Sequence, residues 1–341
     1  MYDFDEIIDR QHTNALSTDG FCGYIFHAGP EKVFPYKDDE FVRMWVADMD
    51  FGVAPEILDE MRKRIDRRIF GYTGVYDHDY YNSFAKWCKD HYDWEFPEEE
   101  LCFSPGIIPA LYQLTETLCT PDEKVLINTP AYGYFLHAAE YAHVESIYSP
   151  LKKRADGAFV LDDENFEAQC ANPQCKLVFW CNPQNPSGRM WTEEELARVA
   201  QIVEKYNLWI ISDEIHCDLI RCGKKHIPMA KVMKDYPKLI TCMAPSKTFN
   251  LAGLAFSNII IRDPGLRARF KDRDKLFGMV NPMSLTAAKA AYDKGGSWLE
   301  GGNALFVGNA AGYIRLNLAM PRSVIRTGLE RIRDAVRAYR G

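Results

Sequence analysis

The sequence predicts an α/β protein built on a mostly parallel sheet, and three observations predict it. Five short apolar runs rich in β-formers recur through the middle of the chain: KVLIN (124–128), KLVFWC (176–181), LWIIS (208–212), LITCMA (239–244) and SNIIIR (257–262). Amphipathic segments separate them. Polar residues of catalytic type follow three of the runs directly, as NPQNPSG, DEIH and PSK. Runs apolar on both faces suit strands buried between two helical layers, and alternation with helices implies parallel neighbours.

CFSPGIIPALYQLTETL (102–118) reads as a loop entering a helix, with Gly106 before it and Pro109 in its first turn, where a missing N–H costs nothing. Such a helix start presents unpaired N–H groups and positive dipole charge, enough to hold a phosphate on backbone atoms. KVLIN and KLVFWC read as strands. TEEELARVAQIVEKYN (192–207) reads as a helix, with Thr192 as N-cap, Glu195 completing a capping box, and apolar residues at helical spacing. LWIIS, LITCMA and SNIIIR complete the strand set.

In open α/β sheets, ligands bind beyond the carboxyl ends of the strands. Asn185, Asp213 and Lys247 each follow a strand and so share one rim. Singly, an Asp or Asn there is a turn residue or a cap; recurrence at successive strand ends points to a site. Lys247 is unusual in lying between an apolar run and Gly253. A lysine amine, an aspartate and a helix-bound phosphate are the set that pyridoxal phosphate requires. The amine forms a Schiff base with the aldehyde, and the aspartate keeps the ring nitrogen protonated. No G-x-G-x-x-G follows a strand, against a nicotinamide cofactor.

Composition narrows the classes further. At 341 residues and 47% hydrophobic, the chain is long enough for two domains. A net charge of −7 argues against a nucleic-acid surface, and LRARFKDRDK (266–275) reads as a solvated helix face. The opening MYDFDEIIDRQHTN is acidic where a signal peptide is basic, and no apolar run approaches the ~18–20 residues of a membrane span. Ten cysteines are scattered without a C-x-x-C pair. Cys170/Cys175 and Cys217/Cys222 fit no zinc spacing, so reduced buried thiols, no metal and a cytoplasmic protein are expected.

WVADMDF (45–51), FGYTG (70–74), SPGIIPAL (104–111), TPAYGYF (129–135), CNPQNPSGR (181–189), SDEIHCDL (212–219), HIPMA (226–230), PSKTFNLAGL (245–254) and GYIRLNLAMPRS (312–323) occur in this order. Together they resemble the fold-type I aminotransferases, and more narrowly their cystathionine β-lyase or C–S lyase subgroup, from about residue 4 to the C-terminus.

The resemblance implies a fold-type I pyridoxal-phosphate-dependent transferase fold. Residues 1–45 would form an N-terminal arm and part of a small domain, 46–275 a large cofactor-binding domain, and 276–341 a shortened small domain. Lys247, Asp213 and Tyr132 are the implied catalytic group: Lys247 joins the cofactor and shuttles the Cα proton, Asp213 pairs with the ring nitrogen, and Tyr132 stacks on the ring. Asn185 is implied at the phenolic oxygen with His216 nearby. Gly106, Ile107, Ile108 and Ser246 are implied at the phosphate, and Tyr72 at the phosphate of a second subunit in a homodimer. Arg315 and the Ala47 backbone are implied at the substrate carboxylate.

Two departures stand out. Ala255 and Ala244 occupy positions where aminotransferases often carry a phosphate-binding arginine and serine, which the lyase subgroup tolerates. Between SWLE (297–300) and GYIRLN only GGNALFVGNAA remains, so the small domain reads as cut down. The implied activity is β-elimination of cystathionine or another cysteine S-conjugate to thiol, pyruvate and ammonia. An aminotransferase would use the same residues, and the shortened segment leaves room for a non-catalytic, regulatory cofactor-binding protein.

Overall fold

The structure, a computed structural model, describes residues 2–29, 31–37, 40–220, 224–274, 280–301 and 316–340. Nine strands form among them: β1 (Leu101–Ser104), β2 (Lys124–Thr129), β3 (Glu145–Pro150), β4 (Lys152–Lys153), β5 (Phe159–Val160), β6 (Cys175–Cys181), β7 (Trp209–Asp213), β8 (Leu239–Met243) and β9 (Ser257–Ile261). Seven make one sheet in the order β1-β9-β8-β7-β6-β2-β3, and β4 and β5 pair as a small separate ribbon.

The β3–β2–β6–β7–β8 block is parallel throughout. β9 is the exception, running antiparallel to both β8 and β1. The sheet is therefore mixed, and the fifth run read from sequence belongs to it with its direction reversed. Two reversals restore the direction, so β1 points the same way as β8.

Side chains alternate across the parallel block as a two-residue period requires. Leu177, Phe179 and Cys181 join one apolar layer with Val125 and Ile127, and Val178 and Trp180 join the other with Leu126. Helices Ile107–Leu118, Gly133–Tyr141 and Pro264–Asp274 contribute to the first layer; helices Asp79–Tyr92, Glu193–Lys205 and Pro282–Lys294 contribute to the second. The helix over 193–205 forms as its sequence requires. Thr192 Oγ1 accepts from Glu195 N–H at 3.3 Å and Glu195 Oε2 accepts from Thr192 N–H at 2.8 Å, while Leu196, Val199, Ile202 and Val203 are buried.

The described cysteines are free thiols, all buried except Cys22, which is half-buried; Cys222 lies outside the described residues. No described helix is long and apolar enough to cross a membrane.

Candidate active site

β2, β6, β7 and β8 are neighbours running the same way, and β1 shares their direction, so the residues that follow these strands meet along one edge. The register sets Cys181 beside Asp213 and Asp213 beside Cys242. Hydrogen bonds carry the ladder past the strand ends: Asn182 N–H donates to Asp213 O at 2.9 Å, and Glu214 N–H donates to Cys242 O at 2.8 Å. Asn185 then lies four residues beyond β6, and Lys247 four residues beyond β8 in the turn Pro245–Thr248.

Asp213 closes β7 and is only 4% exposed. Ile215 N–H donates to its Oδ1 at 3.2 Å. Burial pushes the carboxyl up to about 7; the Ile215 N–H opposes that, the neighbouring Glu214 adds to it, and the Lys247 charge pulls it back down. A buried carboxyl held this far up wants a cationic N–H opposite it. Cys181 and Cys242 flank it as thiols that burial keeps protonated, so neither competes as a charged group.

Lys247 is half-buried, and its Nζ donates to Ala47 O at 2.8 Å. Ala47 thus reaches the rim from a segment without helix or strand, although 200 residues separate the two. Ser246 precedes the lysine, half-buried, and its carbonyl accepts from Leu251 N–H at 3.0 Å.

The helix expected near Pro109 begins slightly earlier, at Ile107, with Gly106 as its N-cap. Gly106 is extended at φ 169°, so its missing side chain matters for space: a Cβ there would lie 3.3 Å from Pro109 Cδ. Ile107 is buried and Ile108 half-buried, and no acidic residue stands in the first turn, which leaves the helix start suited to an anion. Tyr132 caps the helix that follows β2, its ring 5.3 Å from that of Tyr134.

Asn185 is half-buried, its N–H donating to Cys181 Sγ at 3.3 Å, and His216 lies half-buried in the turn that leaves β7. Tyr72 is not packed into its own chain: it lies between helices Pro55–Asp66 and Asp79–Tyr92 and is 96% exposed. Arg315 lies outside the described residues.

Several supporting residues carry no role in the sequence reading. Glu214, fully buried, accepts from Ser212 Oγ at 2.8 Å and Met229 N–H at 2.9 Å, and lies 2.6 Å from His226 Nε2. It pins HIPMA against the end of β7. Asp218 accepts from Tyr92 Oη, from Trp87 Nε1 at 3.1 Å and from Thr248 Oγ1 at 2.7 Å, tying the residue after Lys247 to the helix Asp79–Tyr92. The sequence carries a signal for them, since SDEIHCDL holds two further acids and HIPMA a histidine.

An amine, a buried carboxyl that favours a cationic partner and a helix start without acids, gathered on one edge, suit a ligand with an aldehyde, a basic ring nitrogen and a phosphate. Comparison with known proteins agrees. Over 294 residues the chain is 36% identical to cystathionine beta-lyase PatB of Bacillus subtilis, spanning 85% of this chain and 73% of that protein. Over 306 residues it is 31% identical to protein MalY of Escherichia coli, spanning 88% and 74%. The pyridoxal-phosphate-bound C-S lyase from Staphylococcus hominis superposes with a TM-score of 0.90 at 37% identity over 98% of both chains. Cystalysin from Treponema denticola, which contains pyridoxal 5'-phosphate, superposes at 0.88 with 29% identity, over 99% of this chain and 100% of that one. The family model for aminotransferase class I and II matches residues 40–303, and the chain belongs to that family.

Proposed function

We propose that the protein is a pyridoxal-phosphate-dependent C–S β-lyase that breaks the Cα–H and Cβ–S bonds of cystathionine or a related cysteine thioether. The thiol leaves, and water carries the three-carbon remainder to pyruvate and ammonia. The observation that carries this reading is the pairing of Asp213, buried with its carboxyl held near 7, with Lys247 at the end of the neighbouring strand. The names of the relatives narrow it from the family's chemistry to elimination.

Bound there, pyridoxal phosphate supplies an electron-withdrawing ring that stabilises negative charge at the substrate Cα. Asp213 would accept the hydrogen bond of the ring N–H, and a positive charge opposite it would lower its carboxyl back toward the ionised state. Backbone N–H groups of Gly106, Ile107 and Ile108 would hold the phosphate, and Ser246 is assigned to the same group. Lys247 Nζ would hold the cofactor's aldehyde carbon and take the proton from the substrate Cα. Tyr132 is assigned to the ring face, Asn185 and His216 to the side of the phenolic oxygen, and Ala47 and Arg315 to the substrate carboxylate.

The full assignment includes a cytoplasmic homodimer with domains at 1–45, 46–275 and 276–341. Reduced thiols support the compartment. The exposure of Tyr72 supports a hydroxyl offered to a second chain, and the containment of the main sheet within 101–261 supports the large domain.

Incubation with cystathionine alone tests the activity. Pyruvate and homocysteine formed without an added oxo acid mark elimination. Product that appears only with an oxo acid would make the protein an aminotransferase, and a spectral response to amino acids without product would make it a binding protein.

A further inference from the structure

Residues 44–51 form neither helix nor strand, so their backbone groups find partners outside any regular ladder, as polar groups near a core must. Two asparagines from distant parts of the chain provide much of that pairing. Asn250 accepts from Met49 N–H on Oδ1 at 3.3 Å and donates from Nδ2 to Met49 O at 3.1 Å and to Phe51 O at 2.9 Å. From the other side, Asn317 donates its N–H to Met44 O at 2.8 Å and its Nδ2 to Val46 O at 2.8 Å and to Asp48 O. Ala319 O accepts from Asp50 N–H at 2.8 Å. Between the contacts of Val46 and Asp48 stands Ala47, whose carbonyl accepts from Lys247 Nζ.

Asn250 lies three residues after Lys247 at φ 57°, a left-handed conformation that asparagine tolerates better than most residues. An asparagine at such a turn ordinarily bonds its own neighbouring backbone. Here all three of its amide contacts reach across about 200 residues to the segment that faces the lysine. Asn317 is 4% exposed, and its Oδ1 accepts from Ala319 N–H at 3.1 Å, so its amide is held in a fixed orientation.

We propose that Asn250 and Asn317 are positioning residues that clamp the backbone of 44–51 so that the Ala47 carbonyl holds the Lys247 amine in its reacting place. The proposal rests on the reading of Lys247 as the reacting amine. The carbonyl gives that amine a fixed partner whenever it is not joined to the cofactor, and the clamp fixes the carbonyl. Asparagine is required because one side must offer an acceptor to an N–H and donors to two carbonyls at once.

The test uses the full chain in cofactor-free form. Asn250→Gly removes the amide while keeping the backbone at ease, and Asn317→Ala is the second, independent deletion. Asn250→Asp fills the original space but turns an oxygen toward the Met49 and Phe51 carbonyls. We expect amide exchange in a peptide covering 44–51 to rise about tenfold or more in each, with exchange in Leu239–Met243 unchanged. The rate at which pyridoxal phosphate becomes fixed by borohydride should fall by up to ~100-fold, the scale of an ångström's misplacement, with no rescue by Asp. Unaltered exchange at 44–51 would overturn the clamp. So would raised exchange with a wild-type uptake rate, or rescue by Asp, either of which reduces the asparagines to packing. Failure of the wild-type protein to release pyruvate from cystathionine would refute the lyase reading alone, since exchange and uptake judge the clamp separately.

Discussion

Asp213 is costly to keep ionised in the cofactor-free chain. Burial first, then Glu214, raise its carboxyl from an ordinary 3.8 to about 7, against the pull of Ile215 N–H and Lys247. The folded state therefore holds a proton that the unfolded state has already released. Stability falls as pH rises from about 4 to about 7, by on the order of 4 kcal/mol at most. An amide at this position does not ionise, so cofactor-free Asp213→Asn should be more stable than wild type above pH 7 by roughly 2–4 kcal/mol, with the gap closing toward pH 4. Urea unfolding across that range checks it, and parallel pH profiles for the two proteins would refute the assigned charge state. With cofactor added, the same variant should lose most turnover, because an amide cannot keep the ring nitrogen protonated. Lys247→Ala should fold as wild type yet retain no cofactor after borohydride reduction and dialysis; equal retention by both proteins would remove Lys247 from its role.

At the scale of elements, the helix Ile107–Leu118 has two opposing sensitivities. A negative charge in its first turn favours the helix by about 0.3–1 kcal/mol but repels a phosphate bound there. Ile108→Asp should therefore change cofactor-free stability little, while weakening pyridoxal phosphate and inorganic phosphate by about tenfold or more. Wild-type affinity for both ligands in the variant would place the phosphate elsewhere. The elements legible in the sequence were those whose cause is local. The Thr192–Glu195 capping box spans four residues, and the parallel strands are marked by continuous apolar runs. β1 is buried but only four residues long, too short for its run to stand out, and β3 is a half-exposed edge strand carrying Glu145 and Ser146. The reversal of β9 is a matter of chain path, which no window of residues contains. In the candidate site, Asp213, Asn185 and Lys247 stood out in the sequence because each lies at or just past the end of an apolar run, and the structure places Asp213 as the last residue of β7 and the other two four residues beyond β6 and β8. Asn250, Asn317, Asp218 and the Glu214–His226 pair were not, because their partners are chosen by folding and several lie more than a hundred residues away.

For the molecule as a whole, assembly is the property at stake. Tyr72 is exposed; in the homodimer proposed above its hydroxyl would meet the partner's phosphate. Tyr72→Phe should then stay dimeric and bind pyridoxal phosphate more weakly by about 1.5–3 kcal/mol, the range for one hydrogen bond to a charged group. Sedimentation of the cofactor-loaded protein as a monomer, or an unaltered affinity in the variant, would count against the shared site. The order of the strands carries a different consequence, one of timing during synthesis. Among the described strands β1, which leads into the helix start proposed to hold the phosphate, is hydrogen-bonded in the sheet to β9 alone, and β9 alone joins it to the strand that precedes Lys247. The two ends of the proposed cofactor site are therefore not sewn together until about residue 261 has left the ribosome, some 150 residues after the first end. A nascent chain halted before β9 has no complete site to fill, so cofactor capture by stalled chains of increasing length should switch on only once β9 is free to insert.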